Sequence, residues 1–200
     1  MFDVTLLKES LDAIIAVTMF AGYALNEIKK YLDQRRKNRK DNVATMFKTL
    51  ERVYEKLIEC RVETSANSVM VLEFHNGDHF MSDSPILKMT STYETNDASV
   101  TKISPEMHNK LITKTQVFVQ DLVKKEYITY IDIDNLQESD DFIEILKMKE
   151  AKEFYALPLK NNKKDIIGVI CLVYYSGKPS KSVQDLLKYY ADHVSILLRN

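Results

Sequence analysis

Tryptophan is absent from this 200-residue chain, glycine and proline occur four times each, and cysteine twice. Two cysteines, Cys60 and Cys171, are too few for a disulfide scaffold, so a reducing, intracellular setting is the expectation. Cys171 falls inside the apolar run IIGVICLVYY and reads as a small core residue. Glycine and proline this scarce, and widely spread, exclude a low-complexity linker or a disordered chain. A formal net charge of −1 leaves no overall excess of positive charge for nucleic acid. Catalytic signatures are missing too. There is no Gly-rich phosphate loop, no G-x-S-x-G elbow, no local Cys/His pair and no carboxylate run of a metal hydrolase. The chain therefore reads as non-enzymatic, with no catalytic residue, no metal and no cofactor expected.

What is present is enough for a core: 45% hydrophobic residues, including eleven Tyr and eight Phe. The length fits one domain of ~100–150 residues plus an appendage, and no internal repeat is visible. Residues 6–61 contain no proline and a single glycine, Gly22, and read as one long helix or two stacked ones. We divide the chain into an N-terminal helical segment, 1–41, and a domain, 42–200.

The two halves of that helix differ. From residue 42, Val43, Met46, Phe47, Leu50, Val53, Tyr54, Leu57 and Ile58 recur at 3-4 spacing, an apolar stripe that must pack on something. Packing against a sheet and a dimer seam beyond the domain both satisfy it. Ala13–Leu25 is apolar on nearly every face, yet its thirteen residues fall short of the ~20 that cross a bilayer. Acidic Glu9 and Asp12 precede it, and the basic run KKYLDQRRKNRK follows, the charge order of a helix whose C-terminal side is cytoplasmic. Basic residues after the apolar part also exclude a cleavable signal peptide. A membrane anchor and a buried oligomerising helix both remain open for residues 6–28.

Ser68–His75 alternates, with Met70, Leu72 and Phe74 on one face and Val69, Val71, Glu73 and His75 on the other, which is strand periodicity. Asn76-Gly77 then signals a turn. Leu87–Glu94 reads as a second strand, Pro105–Thr113 and Val117–Lys125 as helical stretches, and Tyr127–Ile133 as a strand. Ser139, with Asp140 and Asp141, opens a short helix. From Lys152 the chain reads strand, polar turn NNKKD, glycine-interrupted buried strand, loop and amphipathic helix. His75, Asp78, His79 and Asp83 are dense enough to suggest zinc, but a turn between the histidines makes them a polar cap of the sheet instead. Asp132 and Asp134 read as turn chemistry, and His108 and His193 as structural.

Leu157-Pro158-Leu159, the polar turn, Ile167-Gly168-Val169 and the helix after them resemble the closing segment of GAF domains. Phe74-His75-Asn76-Gly77 and Thr92-Tyr93-Glu94 resemble GAF-like proteins of bacteriophage genomes. The resemblance implies an α+β fold, an antiparallel sheet backed by the N- and C-terminal helices. It requires Glu73 and Gly168 to lie in one antiparallel layer. It further implies a sensory or regulatory module, with a small molecule held between the sheet and a 78–113 insert by Glu73, His75, Asn76 and Tyr93. The N-terminal helix would carry a homodimer, and the signal would pass to a separate partner. The Asn-Lys…Phe-Asp-Glu signature of cyclic-nucleotide phosphodiesterase GAF domains is missing. Cys60 and Cys171 fall in a helix and a strand, unlike the loop cysteine that attaches a bilin. The alternative is a membrane-tethered, viral interaction or assembly protein that uses the fold as a scaffold. The cytoplasm is the expected location, with an inner-membrane tether under the anchor reading.

Overall fold

The computed structural model describes residues 29–30, 43–79, 85–137 and 140–199. The chain divides into two compact units, Met1–Lys48 and Thr49–Asn200. Within the first, residues 29–30 and 43–48 are helical and the anchor and oligomerisation readings of residues 6–28 lie outside the described residues. Among the described residues no helix is long and apolar enough to cross a membrane.

Helical residues 43–64 form α1, of which 49–64 belong to the second unit. Then come β1 (Ser68–His79), β2 (Pro85–Asn96), β3 (Lys110–Leu111), α2 (Gln116–Lys124), β4 (Ile128–Ile131), α3 (Asp141–Met148), β5 (Glu153–Lys160), β6 (Ile166–Tyr174) and α4 (Val183–Leu198). The strands form one sheet in the order β3-β2-β1-β6-β5-β4, antiparallel at every junction. Glu73 and Gly168 are direct partners across β1 and β6, so the required single layer is present. Gly168 makes this junction close. A Cβ built there would lie 2.5 Å from the Leu72 carbonyl oxygen and 3.3 Å from Glu73 Cα.

Apolar alternation gives the sheet two buried faces. Val69, Val71, Ile170 and Leu172 pack with Val53, Leu57 and Cys60 of α1 and Leu187, Tyr190 and Val194 of α4. These are the terminal helices the sequence places behind the sheet. The opposite face is also covered. Met70, Leu72, Met89, Val169 and Cys171 pack with Ile103 and Met107 of the 97–109 segment, Phe118 of α2 and Phe142 of α3. Phe118, Phe142 and Phe154 form an aromatic knot there, with ring centroids 4.3, 5.2 and 5.9 Å apart. Asp140 caps α3 by accepting from the backbone N–H groups of Phe142 (2.9 Å) and Ile143 (3.0 Å). Its second oxygen accepts from Phe118 N–H at 2.9 Å, tying α2 to α3.

Two expectations are corrected. Asn76-Gly77 does not end the first strand. β1 runs on to His79, and Gly77 is the extra residue of a bulge between the pairs Asn76↔Leu87 and Asp78↔Ile86. Nor is Pro105–Thr113 a helix. Residues 104–109 are turns, followed by β3 and one 3-10 turn at Ile112–Lys114. The local reason is that Asn109 adopts a left-handed backbone (φ 53°) and gives its N–H to Thr90 Oγ1, after which Lys110 and Leu111 pair with β2.

Candidate functional site

Tyr93 is paired with Val71 and packs with the α1/α4 core, so Tyr93 and, by alternation, Glu73 and His75 occupy the helix-covered face. They do not lie beneath the insert, as the sequence reading had it. That face belongs to Met70, Leu72 and Phe74, whose apolar surface Ile103 and Met107 bury. His75 Nε2 is 2.8 Å from Thr90 Oγ1, and the same oxygen accepts from Asn109 N–H at 3.0 Å. Tyr93 meets Tyr54 of α1 edge-on at 5.6 Å. Burial, then the Glu73 carboxylate and Tyr54, push the Tyr93 phenol above its ordinary value. Glu73, Tyr93 and Tyr54 thus share one neighbourhood, with His75 further along the strand. Asn76 is exposed.

A different set lies under the insert. Glu94 pairs with Met70 and faces the insert core, only 5% exposed. Its Oε1 accepts from Ile103 N–H and its Oε2 from Ser104 N–H, both at 2.8 Å. Glu106 of the insert forms a 2.7 Å ion pair with Lys149, just beyond α3. The segment is therefore pinned at two points by charge-assisted bonds. Around these pins, Ser91 Oγ, Glu106 Oε2 and Tyr175 OH are shielded from solvent without hydrogen-bond partners. Burial foremost, then the nearby Glu94 and Glu106 carboxylates, raise the Tyr175 phenol. Sequence reasoning missed these residues. The signal was hidden by a bulge: Val71 pairs with Tyr93 but Leu72 with Ser91, leaving Thr92 extra. Strict alternation from Met89 therefore assigns Glu94 to the wrong face.

The remaining candidates stay apart. Among the described residues no group of three His, Cys, Asp or Glu side chains could hold a metal ion. The Asp78 and His79 side chains and Asp83 lie outside the described residues. Cys60 and Cys171 are buried free thiols, one in each core. Asp134 is held by Lys152 at 2.6 Å, and the Asp132 carboxylate accepts from the Asn135 amide at 2.8 Å, as turn chemistry requires.

No protein-family model and no curated protein sequence matches this chain. Solved structures do resemble it. GAF3 of a Synechocystis protein, in its photoproduct state, superposes with a TM-score of 0.56 at 13% identity, covering 76% of this chain and 93% of its own. The blue-light absorbing form of the Thermosynechococcus elongatus PixJ GAF domain gives 0.58 at 12%, covering 78% and 88%. A GAF domain/HD domain protein from Geobacter sulfurreducens gives 0.53 at 12%, covering 76% and 90%. At such identities the likeness concerns architecture alone, and the architecture of this chain is GAF-like.

Proposed function

We propose that this chain is a non-catalytic sensory or regulatory module that binds a small polar molecule and relays its occupancy to a separate partner through a helix-borne homodimer. The observation that carries the reading is the trio of shielded, unpartnered atoms from β2, the insert and the residue after β6. Each such atom costs ~1–3 kcal/mol unless something supplies its missing hydrogen bond. A small molecule offering both donors and acceptors supplies all three. Two neighbours, described in a photoproduct state and as a blue-light absorbing form, support sensing as a use of this fold.

The dimer rests on α1. Val43, Met46, Phe47 and Leu50 are 43, 58, 60 and 37% exposed, although they continue the 3-4 spacing of buried Val53 and Leu57. A second copy of the helix would cover them. A ligand shifts such a dimer only by binding its two arrangements with different affinity.

The test is a thermal-shift screen on the full chain, with mass spectrometry of co-purified small molecules, repeated for Tyr175→Phe and Ser91→Ala. Loss of binding without loss of stability supports the seat beneath the insert. A ligand lost instead in His75→Ala, Glu73→Gln or Tyr93→Phe supports a seat on the α1 face, from which Asn76 points away by the same alternation. The contact between Tyr93 and Tyr54 favours that variant, because it joins the seat directly to the dimer helix.

The competing reading is a scaffold: a membrane-tethered or viral assembly protein. It is favoured by the filled insert face, where Met70, Leu72, Met89, Ile103 and Met107 are fully buried. No ligand from the screen, together with membrane sedimentation lost on deleting residues 1–40, would select it.

A further inference from the structure

Asn76-Gly77 is the one Asn-Gly pair in the chain, and the sheet holds its peptide loosely. The β1–β6 ladder ends at Glu73↔Gly168, so beyond that point, among the described residues, β1 is paired with β2 alone. There Gly77 is the bulge residue without a partner, between Asn76↔Leu87 and Asp78↔Ile86. One further pair follows, His79↔Pro85, and Pro85 has no N–H to give it. Asn76 itself is exposed.

An asparagine followed by glycine carries both an electrophile and a nucleophile. A five-membered ring closes when the Gly77 nitrogen reaches the side-chain amide carbon of Asn76, and glycine has no side chain to obstruct that approach. Lys88 adds charge. A Cβ built on Gly77 would lie 2.6 Å from Lys88 Cε and 2.8 Å from its Cδ. The lysine stem therefore crosses the bulge, and its ammonium, one bond further on, stands beside the Asn76–Gly77 peptide. A positive charge there stabilises the oxyanion that forms as the ring closes. Asn67 and Asn161 are held differently. Asn67 Oδ1 accepts from the N–H groups of Tyr175 and Ser176 at 2.9 and 3.2 Å, and Asn161 Oδ1 from those of Lys163 and Asp165.

We propose that Asn76 is a covalent modification site, converted to aspartate and isoaspartate by intramolecular deamidation. The Gly77 nitrogen passes its proton to solvent hydroxide and attacks Asn76 Cγ. The new N–Cγ bond closes a succinimide, the bond from Cγ to the side-chain nitrogen breaks, and that nitrogen takes up a proton and leaves as ammonia. Water then opens the ring. Cleavage at Cγ gives aspartate, whereas cleavage at the Asn76 main-chain carbonyl carbon gives isoaspartate, with the chain running through Cγ. Nothing is oxidised or reduced. Either product sets a carboxylate near Lys88. Isoaspartate also lengthens the β1 backbone by one carbon and so disturbs the pairs at Asp78 and His79. The site does not depend on either ligand seat discussed above.

The experiment incubates the full chain at pH 8, native and unfolded in urea, and follows it by peptide-mapping mass spectrometry and an enzymatic isoaspartate assay. A one-dalton gain confined to the peptide containing Asn76 is expected, with the native chain reacting within about tenfold of the unfolded rate. Asn76→Gln should abolish the gain, and Gly77→Ala should slow it about tenfold in both states. Lys88→Met should slow the native reaction severalfold and leave the unfolded one unchanged. Reaction of the unfolded chain alone, a gain centred on Asn67 or Asn161, or equal native rates for Lys88→Met and the parent would overturn the proposal.

Discussion

Gly168→Ala tests the closest approach in the sheet. The new methyl group would sit 2.5 Å from the Leu72 carbonyl oxygen and 3.3 Å from Glu73 Cα. Both belong to the backbone of a central strand, so no side chain can swing away to make room. β1 and β6 must separate by several tenths of an ångström along the pairs Leu72↔Val169 and Glu73↔Gly168, which loosens both cores at once. Overpacking of this kind costs ~1–3 kcal/mol, and the reduced chain entropy of alanine returns only ~0.5–1 kcal/mol. A net loss of about 1–2 kcal/mol is expected. At ~2–4 °C per kcal/mol for a unit of this size, the melting temperature should fall by roughly 2–8 °C. Circular dichroism melts and urea midpoints read this directly. Gly77→Ala is the internal comparison, because its added Cβ meets mainly the flexible end of Lys88, 2.6 Å away, although the Ile86 carbonyl oxygen is 3.1 Å distant. A Gly168→Ala protein as stable as the parent, or more stable than Gly77→Ala, would refute the close-approach argument.

Four further outcomes follow from the same geometry. Glu94→Gln keeps one carbonyl oxygen and turns an NH2 donor toward the other backbone N–H, so stability should fall by about 1–3 kcal/mol, with faster hydrogen exchange at Ile103 or Ser104; unchanged exchange at both would contradict the pinning role. Burial pushes the Glu106 carboxyl upward, but the Lys149 ammonium overrides it and holds the group below its ordinary 4.5. Its stabilisation is thus complete above about pH 4.5 and lost as pH falls through the lower folded value. The Lys149→Met protein should differ from the parent by ~0.5–1 kcal/mol at pH 6, and by progressively less below pH 4.5, in urea titrations. Burial, with a smaller contribution from Glu63, pushes the Cys60 thiol up to about 12, and burial raises Cys171; alkylation at pH 8 should track global unfolding, and fast labelling of the native chain would show the cores to be open. His75→Ala should weaken any ligand held on the α1 face while moving the melting temperature little, since it removes one half-buried bond to Thr90.

The last fifty residues were legible because their determinants are local. Asn161 Oδ1 accepts from the N–H groups of Lys163 and Asp165, both at 2.9 Å, and closes the NNKKD turn within five residues. β5 and β6 then follow as short apolar runs on either side of that turn, and α4 from its 3-4 spacing. The middle of the chain was less legible. Asn-Gly at 76–77 carries a turn signal, but β2 pairing extends the strand through it and converts the glycine into a bulge. Residues 104–109 do not extend into a helix because Asn109 turns left-handed (φ 53°) and β2, distant in sequence, takes its N–H through Thr90 and pairs with Lys110 and Leu111. The α1 stripe is uniform in sequence, yet the structure buries Val53 and Leu57 and leaves Met46, Phe47 and Ile58 exposed.

The amino-acid order by itself determined which side chains of β1 share a face and where the closing hairpin turns. Hydrophobic period and turn chemistry act over a few residues and need no distant partner. The folded chain alone decided which face each helix covers, where a bulge reverses the alternation, how closely β1 and β6 approach at Gly168, and that Ser91 Oγ, Glu106 Oε2 and Tyr175 OH are buried without partners. Those outcomes depend on contacts between segments far apart in sequence, where burial of whole faces outweighs local preference.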